Sequence, residues 1–207
     1  MSDEQPTGGR VGVFGGTFDP LHIGHLMIAL EVRHALQLDR MTLVVANDPW
    51  QKAGTGVTSA EARLELTRAG VDEINARIGS PVIEVSDAEI RRGGETYTAD
   101  TLEEMKAHDR AVELFLLVGS DAAAGLPTWK RPDRIRALAT TVVVERGGRV
   151  GGRPPDDWPH LVIDVPLMEV SSSDLRQRFA DGRPVEAFVP PAVIDRIRRL
   201  GLYGSTS

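Results

Sequence analysis

The stretch Arg10-Val11-Gly12-Val13-Phe14, followed directly by Gly15-Gly16-Thr17-Phe18-Asp19-Pro20-Leu21-His22-Ile23-Gly24-His25, decides the fold of this chain. The short apolar run predicts a buried strand, and the glycines after it predict a turn. Gly24 opens a helical pattern of apolar residues that extends to Leu36. Paired glycines let the backbone turn sharply and approach a ligand, and amides at a helix N-terminus favour an anion. The stretch therefore predicts a strand, a turn and a helix that can hold a phosphate.

Further strands and helices alternate along the rest of the chain. Short β-branched runs predict strands at Met41–Ala46, Val82–Val85, Glu113–Val118, Thr140–Val144 and Leu161–Val165. Helical patterns cover 24–36, 59–78 with Ser59 as N-cap, 98–108, 132–139, 173–180 and 191–200. Continuous apolar strands that alternate with helices predict an α/β fold, a Rossmann-like doubly wound parallel sheet with helices on both faces. Ligands of such sheets bind beyond the carboxyl ends of the strands.

Length and composition exclude several classes of protein. We expect a single domain over 10–207, a polar disordered lead-in over 1–9, and a Gly- and Pro-rich loop at 146–159. The absence of cysteine excludes disulfides, thiolate zinc sites and cysteine nucleophiles. The net charge of -6 disfavours broad nucleic-acid binding. No apolar run is long enough to cross a membrane, and the N-terminus has no signal-peptide pattern, so we expect a cytoplasmic protein.

His22 and His25 carry the first chemical signal. They are three residues apart, so both imidazoles can project from one side of a first helical turn and donate hydrogen bonds to phosphate oxygens. The same spacing is compatible with a pair of metal ligands, but no cluster of carboxylates or cysteines accompanies it nearby in the sequence. A phosphate site is therefore the preferred interpretation, with no metal-ligating residues assigned.

The whole run from Gly15 to His25 resembles the signature of the nucleotidyltransferases named for their His-Ile-Gly-His motif, here His22-Ile23-Gly24-His25. The resemblance implies catalytic roles for both histidines. It also implies that ATP is bound by residues of the turn and the helix start, namely Gly15, Gly16, Thr17, Phe18 and Gly24.

From about Val11 to Tyr203 the chain resembles the nicotinate/nicotinamide mononucleotide adenylyltransferase family. The motifs that carry this resemblance are Asn47-Asp48-Pro49-Trp50-Gln51-Lys52, Glu95-Thr96-Tyr97-Thr98-Ala99-Asp100-Thr101-Leu102, Leu117-Val118-Gly119-Ser120-Asp121, Thr128-Trp129-Lys130 and Val170-Ser171-Ser172-Ser173-Asp174-Leu175-Arg176. They imply catalytic roles for Lys52 and Arg176. They imply ATP contacts from Gly119, Asp121, Ser171, Ser172 and Ser173, and acceptor contacts from Asn47, Thr98 and Trp129.

Several of these residues also have a structural interpretation. Lys52 could be a solvated surface residue, Trp129 a core residue, and Thr98 a helix N-cap. The Ser171–Ser173 segment could act as a helix cap, alone or together with phosphate binding.

The resemblance implies transfer of an adenylyl group from ATP to nicotinate mononucleotide, with Mg²⁺ bound mainly through the ATP phosphates. Ala46, Asn47-Asp48 and Glu145-Arg146-Gly147-Gly148 depart from the commonest family pattern, mainly on the acceptor side. Nicotinamide mononucleotide or another phosphomonoester is therefore an alternative acceptor, and a non-catalytic nucleotide sensor is an alternative function. The expected partners are ATP and a pyridine mononucleotide, with no nucleic acid and no membrane, and a homo-oligomer is left open.

Overall fold

The computed structural model describes residues 8–48, 57–148 and 151–205. The strands are β1 (Arg10–Gly16), β2 (Arg40–Val45), β3 (Ile83–Ser86), β4 (Glu113–Gly119), β5 (Ala139–Arg146) and β6 (His160–Val165). The helices are α1 (Ile23–Ala35), α2 (Ala60–Ile78), α3 (Ala88–Arg92), α4 (Thr98–His108), α5 (Ser120–Ala123), α6 (Pro132–Leu138), α7 (Ser172–Ala180) and α8 (Pro191–Arg199). Short 3₁₀ turns cover Leu126–Thr128 and Leu202–Gly204.

The strands form one six-stranded sheet in the order β3-β2-β1-β4-β5-β6. β4 pairs in parallel with β1 and with β5, and β5 pairs in parallel with β6. The strand order reverses between β1 and β4, as it does in a doubly wound dinucleotide-binding sheet. The predicted Rossmann-like α/β fold is confirmed. Each predicted strand and long helix is present, and no end is shifted by more than two residues.

Local signals in the sequence set the ends of α2. The Ser59 hydroxyl accepts a hydrogen bond from the Ala62 amide at 3.3 Å, so the predicted N-cap is confirmed. At the other end Gly79 adopts a left-handed conformation with φ of 78°, and its amide donates to the Asn75 carbonyl at 2.9 Å. None of the described helices combines the length and the apolar character that a membrane crossing requires.

Chain contacts divide the protein into two compact units. The described residues of the first unit are 8–14, 29–42, 97–148 and 151–167, and those of the second unit are 15–28, 43–48, 57–96 and 168–205. The central residues of β4 and β5 are buried in the first unit. A second apolar cluster lies in the second unit and includes Leu66, Leu175, Phe179, Val185, Val189, Val193, Ile194 and Ile197. The single domain over 10–207 stays a prediction, and most of the expected lead-in lies outside the described residues.

Candidate active site

The glycine-rich segment differs locally from the predicted turn. Gly15 and Gly16 are the last residues of β1, and the Gly16 carbonyl accepts a hydrogen bond from the Ala46 amide at 3.0 Å. The chain turns afterwards, where Phe18 has a left-handed φ of 49°. The prediction of a sharp turn at the glycine pair is therefore wrong, because strand pairing keeps these residues extended. A β-carbon on Gly16 would lie 2.7 Å from the Phe18 ring, whereas one on Gly15 would meet no protein atom within 4 Å.

His22 and His25 form a stacked pair at the start of α1. Their ring centroids are 3.7 Å apart with an interplanar angle of 24°, so both imidazoles lie on the same side as predicted. The His22 amide donates to Nδ1 of His25 at 3.3 Å. Because Nδ1 accepts, a neutral His25 ring carries its proton on Nε2 and can donate from that atom.

Gly24 allows the helix start to pack closely. A β-carbon at this position would lie 2.9 Å from the Val170 side chain and 3.0 Å from Nδ1 of His22. A side chain here would therefore disturb the histidine pair. The glycine of the His-Ile-Gly-His motif thus has a packing role that can be read directly from its surroundings.

The hydroxyl-rich start of α7 contacts the turn after β1. The Ser172 hydroxyl donates to the Pro20 carbonyl at 3.1 Å, and Nη1 of Arg176 donates to the Asp19 carbonyl at 2.8 Å. Nη2 of Arg176 lies 3.4 Å from the Ser173 hydroxyl. The fold thus places Arg176 against the histidine-bearing segment, although more than 150 residues separate Arg176 and Asp19 in the chain.

Ser171 is the N-cap of α7. Its hydroxyl accepts a hydrogen bond from the Asp174 amide at 3.1 Å, so the capping interpretation is confirmed for this residue. A role in binding phosphate remains a prediction for the serines of this segment.

Asp19 is almost fully buried, with 1% of its surface exposed. Its carboxylate accepts hydrogen bonds from the Tyr203 hydroxyl at 2.6 Å and from the Thr58 amide at 3.3 Å. Nη1 of Arg176 lies 3.7 Å from the same carboxylate. Burial, and then the hydrogen bond to Asp19, raise the pKa of Tyr203 well above its usual range. Asp19 therefore connects the C-terminal segment, the turn after β1 and Arg176.

The predicted acceptor segment begins directly after β2. The Asn47 side-chain amide donates to the Gly94 carbonyl at 3.1 Å, and Asp48 forms an isolated parallel bridge with Glu95. The main-chain carbonyl of Asn47 accepts a hydrogen bond from Arg63. Lys52, the remaining predicted catalytic residue, lies outside the described residues.

Thr98 and Trp129, both predicted to contact the acceptor, lie in segments that are in contact within the first unit. Nζ of Lys130, next to Trp129, lies 3.9 Å from the centre of the Tyr97 ring, next to Thr98. Thr98 is the first residue of α4, and Tyr97 occupies the N-cap position without a side-chain cap. The interpretation of Thr98 as the N-cap is therefore wrong. Trp129 is half-buried, which leaves part of its ring accessible.

Arg131 ties the same two segments together. It pairs with Asp100 and with Glu103 on α4, the latter at 2.9 Å, and it adopts a left-handed φ of 55°. These ion pairs fix the end of the Trp129 segment against the helix that begins at Thr98.

Gly119 and Asp121 lie at the end of β4 and in the first turn of α5. A β-carbon on Gly119 would lie 2.5 Å from Oδ1 of Asp121, so the glycine makes room for that carboxylate. Gly151 and Gly152, in the predicted 146–159 loop, pack against Ser120 in the same way. Buried Trp158 anchors the end of this loop, and its Nε1 donates to the Thr141 hydroxyl at 2.9 Å.

The described residues contain no group of three or more histidine, cysteine or acidic side chains placed to hold a metal ion. Around the turn after β1, the hydrogen-bond donors are imidazoles, the Arg176 guanidinium, hydroxyls and main-chain amides, and the Asp19 carboxylate is buried. Such a donor set suits a polyanion.

Comparisons with known proteins identify the relatives of this chain. The Cytidylyltransferase-like family model matches residues 13–178. A Roseiflexus protein named "Probable nicotinate-nucleotide adenylyltransferase" is 42% identical, and the alignment covers 93% of this chain and 97% of the relative. A Mycolicibacterium vanbaalenii protein of the same name is 38% identical, with 95% of this chain and 92% of the relative covered.

The chain belongs to the nicotinate-nucleotide adenylyltransferase family. Its fold matches a solved structure of Plasmodium falciparum nicotinic acid mononucleotide adenylyltransferase complexed with NaAD, with a TM-score of 0.75 over 95% of this chain and 98% of that one. The two sequences are 19% identical, so this likeness concerns the fold.

The motifs of the adenylyltransferase family do not reveal every residue that organises the site. Arg63 and Tyr203 were not among the predicted site residues, yet both bind the segments that carry the motifs. Burial lowers the pKa of Arg63, and the nearby charge of Asp19 acts in the opposite direction. Arg63 has a signal in the sequence, because it lies in phase with the apolar residues Leu66 and Gly70 of α2.

Proposed function

We propose that this protein transfers the adenylyl group of ATP to nicotinate mononucleotide, giving nicotinate adenine dinucleotide and pyrophosphate. The observation that carries the proposal is the stacked His22–His25 pair, held beside Arg176 through Asp19, in a chain of the nicotinate-nucleotide adenylyltransferase family. The names of the relatives supply the acceptor, and the donor set around the turn after β1 suits a triphosphate.

The reaction needs no covalently modified residue. An oxygen of the acceptor's 5′-phosphate attacks the α-phosphorus of ATP in line, and the bond from that phosphorus to the α,β-bridging oxygen breaks. The electron pair leaves with pyrophosphate. The protein contributes the position of the two phosphates and stabilises the negative charge that develops on them.

Imidazole and cationic groups form the proposed catalytic set. His25 donates from Nε2, the atom left protonated when Nδ1 accepts the His22 amide. Arg176, whose Nη1 is fixed by the Asp19 carbonyl, presents a forked cation suited to phosphate oxygens. We assign His22 and Lys52 to the same set on the family motif.

ATP is proposed to lie against the end of β1 and the start of α7. The empty space beside the Gly15 α-carbon allows close approach of a ligand to the backbone there. We propose that the remaining ATP contacts come from Gly16, Thr17, Phe18, Gly24, Gly119, Asp121, Ser171, Ser172 and Ser173.

The proposed pyridine-binding residues are Asn47, Thr98 and Trp129. The contact between Lys130 and Tyr97 supports a shared role for Thr98 and Trp129, because it holds the segments of these two residues together. Trp129 would stack on the pyridine ring, and the Thr98 hydroxyl and amide would bind its carboxylate.

We propose that Mg²⁺ enters with ATP as the MgATP substrate, since no described cluster of carboxylates is placed to hold it. We further propose a cytoplasmic enzyme with a single catalytic domain that binds neither nucleic acid nor membranes. A homo-oligomer is compatible with this proposal.

A substrate panel tests the proposal. Purified protein is given MgATP with nicotinate mononucleotide, nicotinamide mononucleotide or pantetheine phosphate, and pyrophosphate release is followed. We expect the highest kcat/KM with nicotinate mononucleotide. A higher value with either other acceptor would contradict the acceptor assignment, and ATP binding without turnover of any acceptor would indicate a nucleotide sensor.

His25→Ala tests the catalytic assignment. Loss of one preorganised donor to a developing oxyanion typically costs about 10²–10³-fold in kcat, and we expect a loss of that size. His34→Ala is the matched control, because His34 is exposed at the opposite end of α1. Full turnover by the His25 variant, with both variants folded by circular dichroism, would contradict the role of His25.

A further inference from the structure

Arg63 is a buried arginine in the first turns of α2. Only 1% of its surface is exposed, and it shares the buried face of the helix with Leu66, Thr67 and Gly70. A guanidinium remains charged in proteins, and a charge without hydrogen-bond partners is costly to bury. The fold must therefore supply partners for Arg63 at this depth.

Those partners are main-chain carbonyls from three separate segments. Nε donates to the Thr58 carbonyl, Nη1 to the Thr17 carbonyl and Nη2 to the Asn47 carbonyl, each at 2.9 Å. Because the guanidinium is planar and rigid, these bonds fix the three carbonyls relative to one another.

Two of these segments carry proposed substrate contacts. Thr17 belongs to the segment proposed to bind ATP, and Asn47 begins the segment proposed to bind the acceptor. Arg63 is too deeply buried to contact either substrate itself. Its hydrogen-bond partners are main-chain carbonyls, so it acts on the substrates through the position of the backbone.

The third segment connects Arg63 to Arg176. The Thr58 carbonyl is bound by Arg63, and the Thr58 amide donates to the Asp19 carboxylate at 3.3 Å. The main-chain carbonyl of Asp19 in turn accepts a hydrogen bond from Nη1 of Arg176 at 2.8 Å. Movement of Thr58 would therefore be transmitted to a proposed catalytic cation.

We propose that Arg63 is a positioning residue that holds the Thr17 segment and the Asn47 segment in register, so that ATP and its acceptor meet in a reactive arrangement. This inference rests on the proposed function for the identity of the acceptor. A displacement of about 1 Å in a reacting group can cost about 10²-fold in rate, so loss of this link should have an effect of that order.

Substitution of Arg63 provides the test. Arg63→Met keeps an apolar stem like that of arginine but removes the guanidinium and with it all the donors. Arg63→Lys keeps a positive charge but replaces the rigid fork by one ammonium group. Arg68→Met is the matched control, because Arg68 lies on the same helix, is half-exposed and pairs with Asp87 at 3.0 Å.

The readouts are kcat and KM for each substrate, together with the affinities of ATP alone and nicotinate mononucleotide alone by calorimetry. All values refer to the fraction of protein that is folded by circular dichroism. For Arg63→Met we expect kcat/KM to fall about 10²-fold and both affinities to weaken. For Arg63→Lys we expect at least a roughly tenfold loss, because one ammonium group cannot reproduce the three branched contacts of the guanidinium. Arg68→Met should stay within about twofold of the wild type, since an exposed ion pair contributes little.

Several results would overturn the inference. One is a lower melting temperature with unchanged kcat/KM in the folded Arg63→Met protein, because it would reduce Arg63 to a purely structural residue. Weakened binding of one substrate alone would refute the link between the two segments. If Arg63→Met does not fold, the Lys variant decides, and wild-type values in that variant would refute the role of the fork.

Failure of the proposed function has a different signature. The wild-type protein would then bind ATP but release no pyrophosphate with nicotinate mononucleotide. In that case the calorimetric affinity for ATP still tests Arg63, since the Thr17 carbonyl contact does not depend on the acceptor. An unchanged affinity for ATP in both Arg63 variants would refute the inference.

Discussion

Tyr203→Phe removes one hydroxyl, which contacts the buried Asp19 carboxylate in the second unit, and leaves the ring in place. The Tyr203 hydroxyl donates to Oδ1 of Asp19 at 2.6 Å, and Asp19 is 1% exposed. The ring packs beside Phe179 with centroids 5.9 Å apart, a contact that phenylalanine preserves. The substitution therefore leaves a buried carboxylate oxygen without its phenolic donor.

The expected loss follows from the type of bond. A hydrogen bond to a charged group contributes about 1.5–3 kcal/mol, so we expect the free energy of unfolding to fall by about 2 kcal/mol. For a protein of 150–250 residues, each kcal/mol corresponds to about 2–4 °C in melting temperature, which predicts a decrease of about 4–8 °C.

Denaturant unfolding of the wild type, Tyr203→Phe, Asp19→Asn and the double variant measures this contact as a double-mutant cycle. The cycle cancels the other interactions of Asp19, such as those with Thr58 and Arg176, and leaves the pairwise energy. We expect a coupling of more than about 1 kcal/mol. A coupling near zero, or a Tyr203→Phe protein as stable as the wild type, would refute the reasoning.

Further predictions concern other parts of the molecule. Gly15→Ala should leave the melting temperature unchanged but raise the KM for ATP. Gly16→Ala should lower the free energy of unfolding by about 1–3 kcal/mol, because its β-carbon, unlike that of Gly15→Ala, meets the Phe18 ring. If the two variants had the same melting temperature and the same KM, this assignment would be contradicted. Because the pKa of Tyr203 is raised in the folded protein, its contribution to stability is complete below about pH 10 and is lost as the pH rises further. The tyrosinate absorbance of the folded wild type and of Tyr203→Phe should therefore coincide near pH 10, and a larger signal in the wild type would contradict the shift. Trp158→Phe should cost about 1–3 kcal/mol in denaturant unfolding, since it leaves the Thr141 hydroxyl without its indole partner; a neutral effect would show that this bond contributes little.

The strands and long helices could be predicted from the sequence because their buried positions are apolar and recur in a regular pattern. The central residues of β5 are buried, and their β-branched side chains form the continuous run that predicted a parallel strand. Short helices left no such pattern. α5, Ser120–Ala123, is four residues long, which is too short for helical periodicity to distinguish it from a loop.

The glycine pair shows how neighbouring structure can override a local signal. Gly15-Gly16 is a common turn sequence, but the bond from the Ala46 amide keeps Gly16 in the sheet. The left-handed residue is Phe18, whose ring fills the space beside the Gly16 α-carbon. The distant strand and the ring together determine the backbone here, and neither is visible in the dipeptide.

The candidate site was predictable where one short motif carries adjacent residues, as in His22 to His25. The residues that support this motif could not be predicted in the same way. They are Arg63, Asp19 and Tyr203, which come from three distant parts of the chain. An arginine is usually exposed, so a helix pattern is normally read with Arg63 on the solvent face. Its spacing from Leu66 and Gly70 places it on the buried face instead. A charged residue on the apolar face of a helix is buried and needs hydrogen-bond partners inside the protein. In this fold the main-chain carbonyls of Thr17 and Asn47, in the proposed substrate-binding segments, are two of these partners. The same burial that makes Arg63 costly to maintain therefore makes it suited to fix those segments.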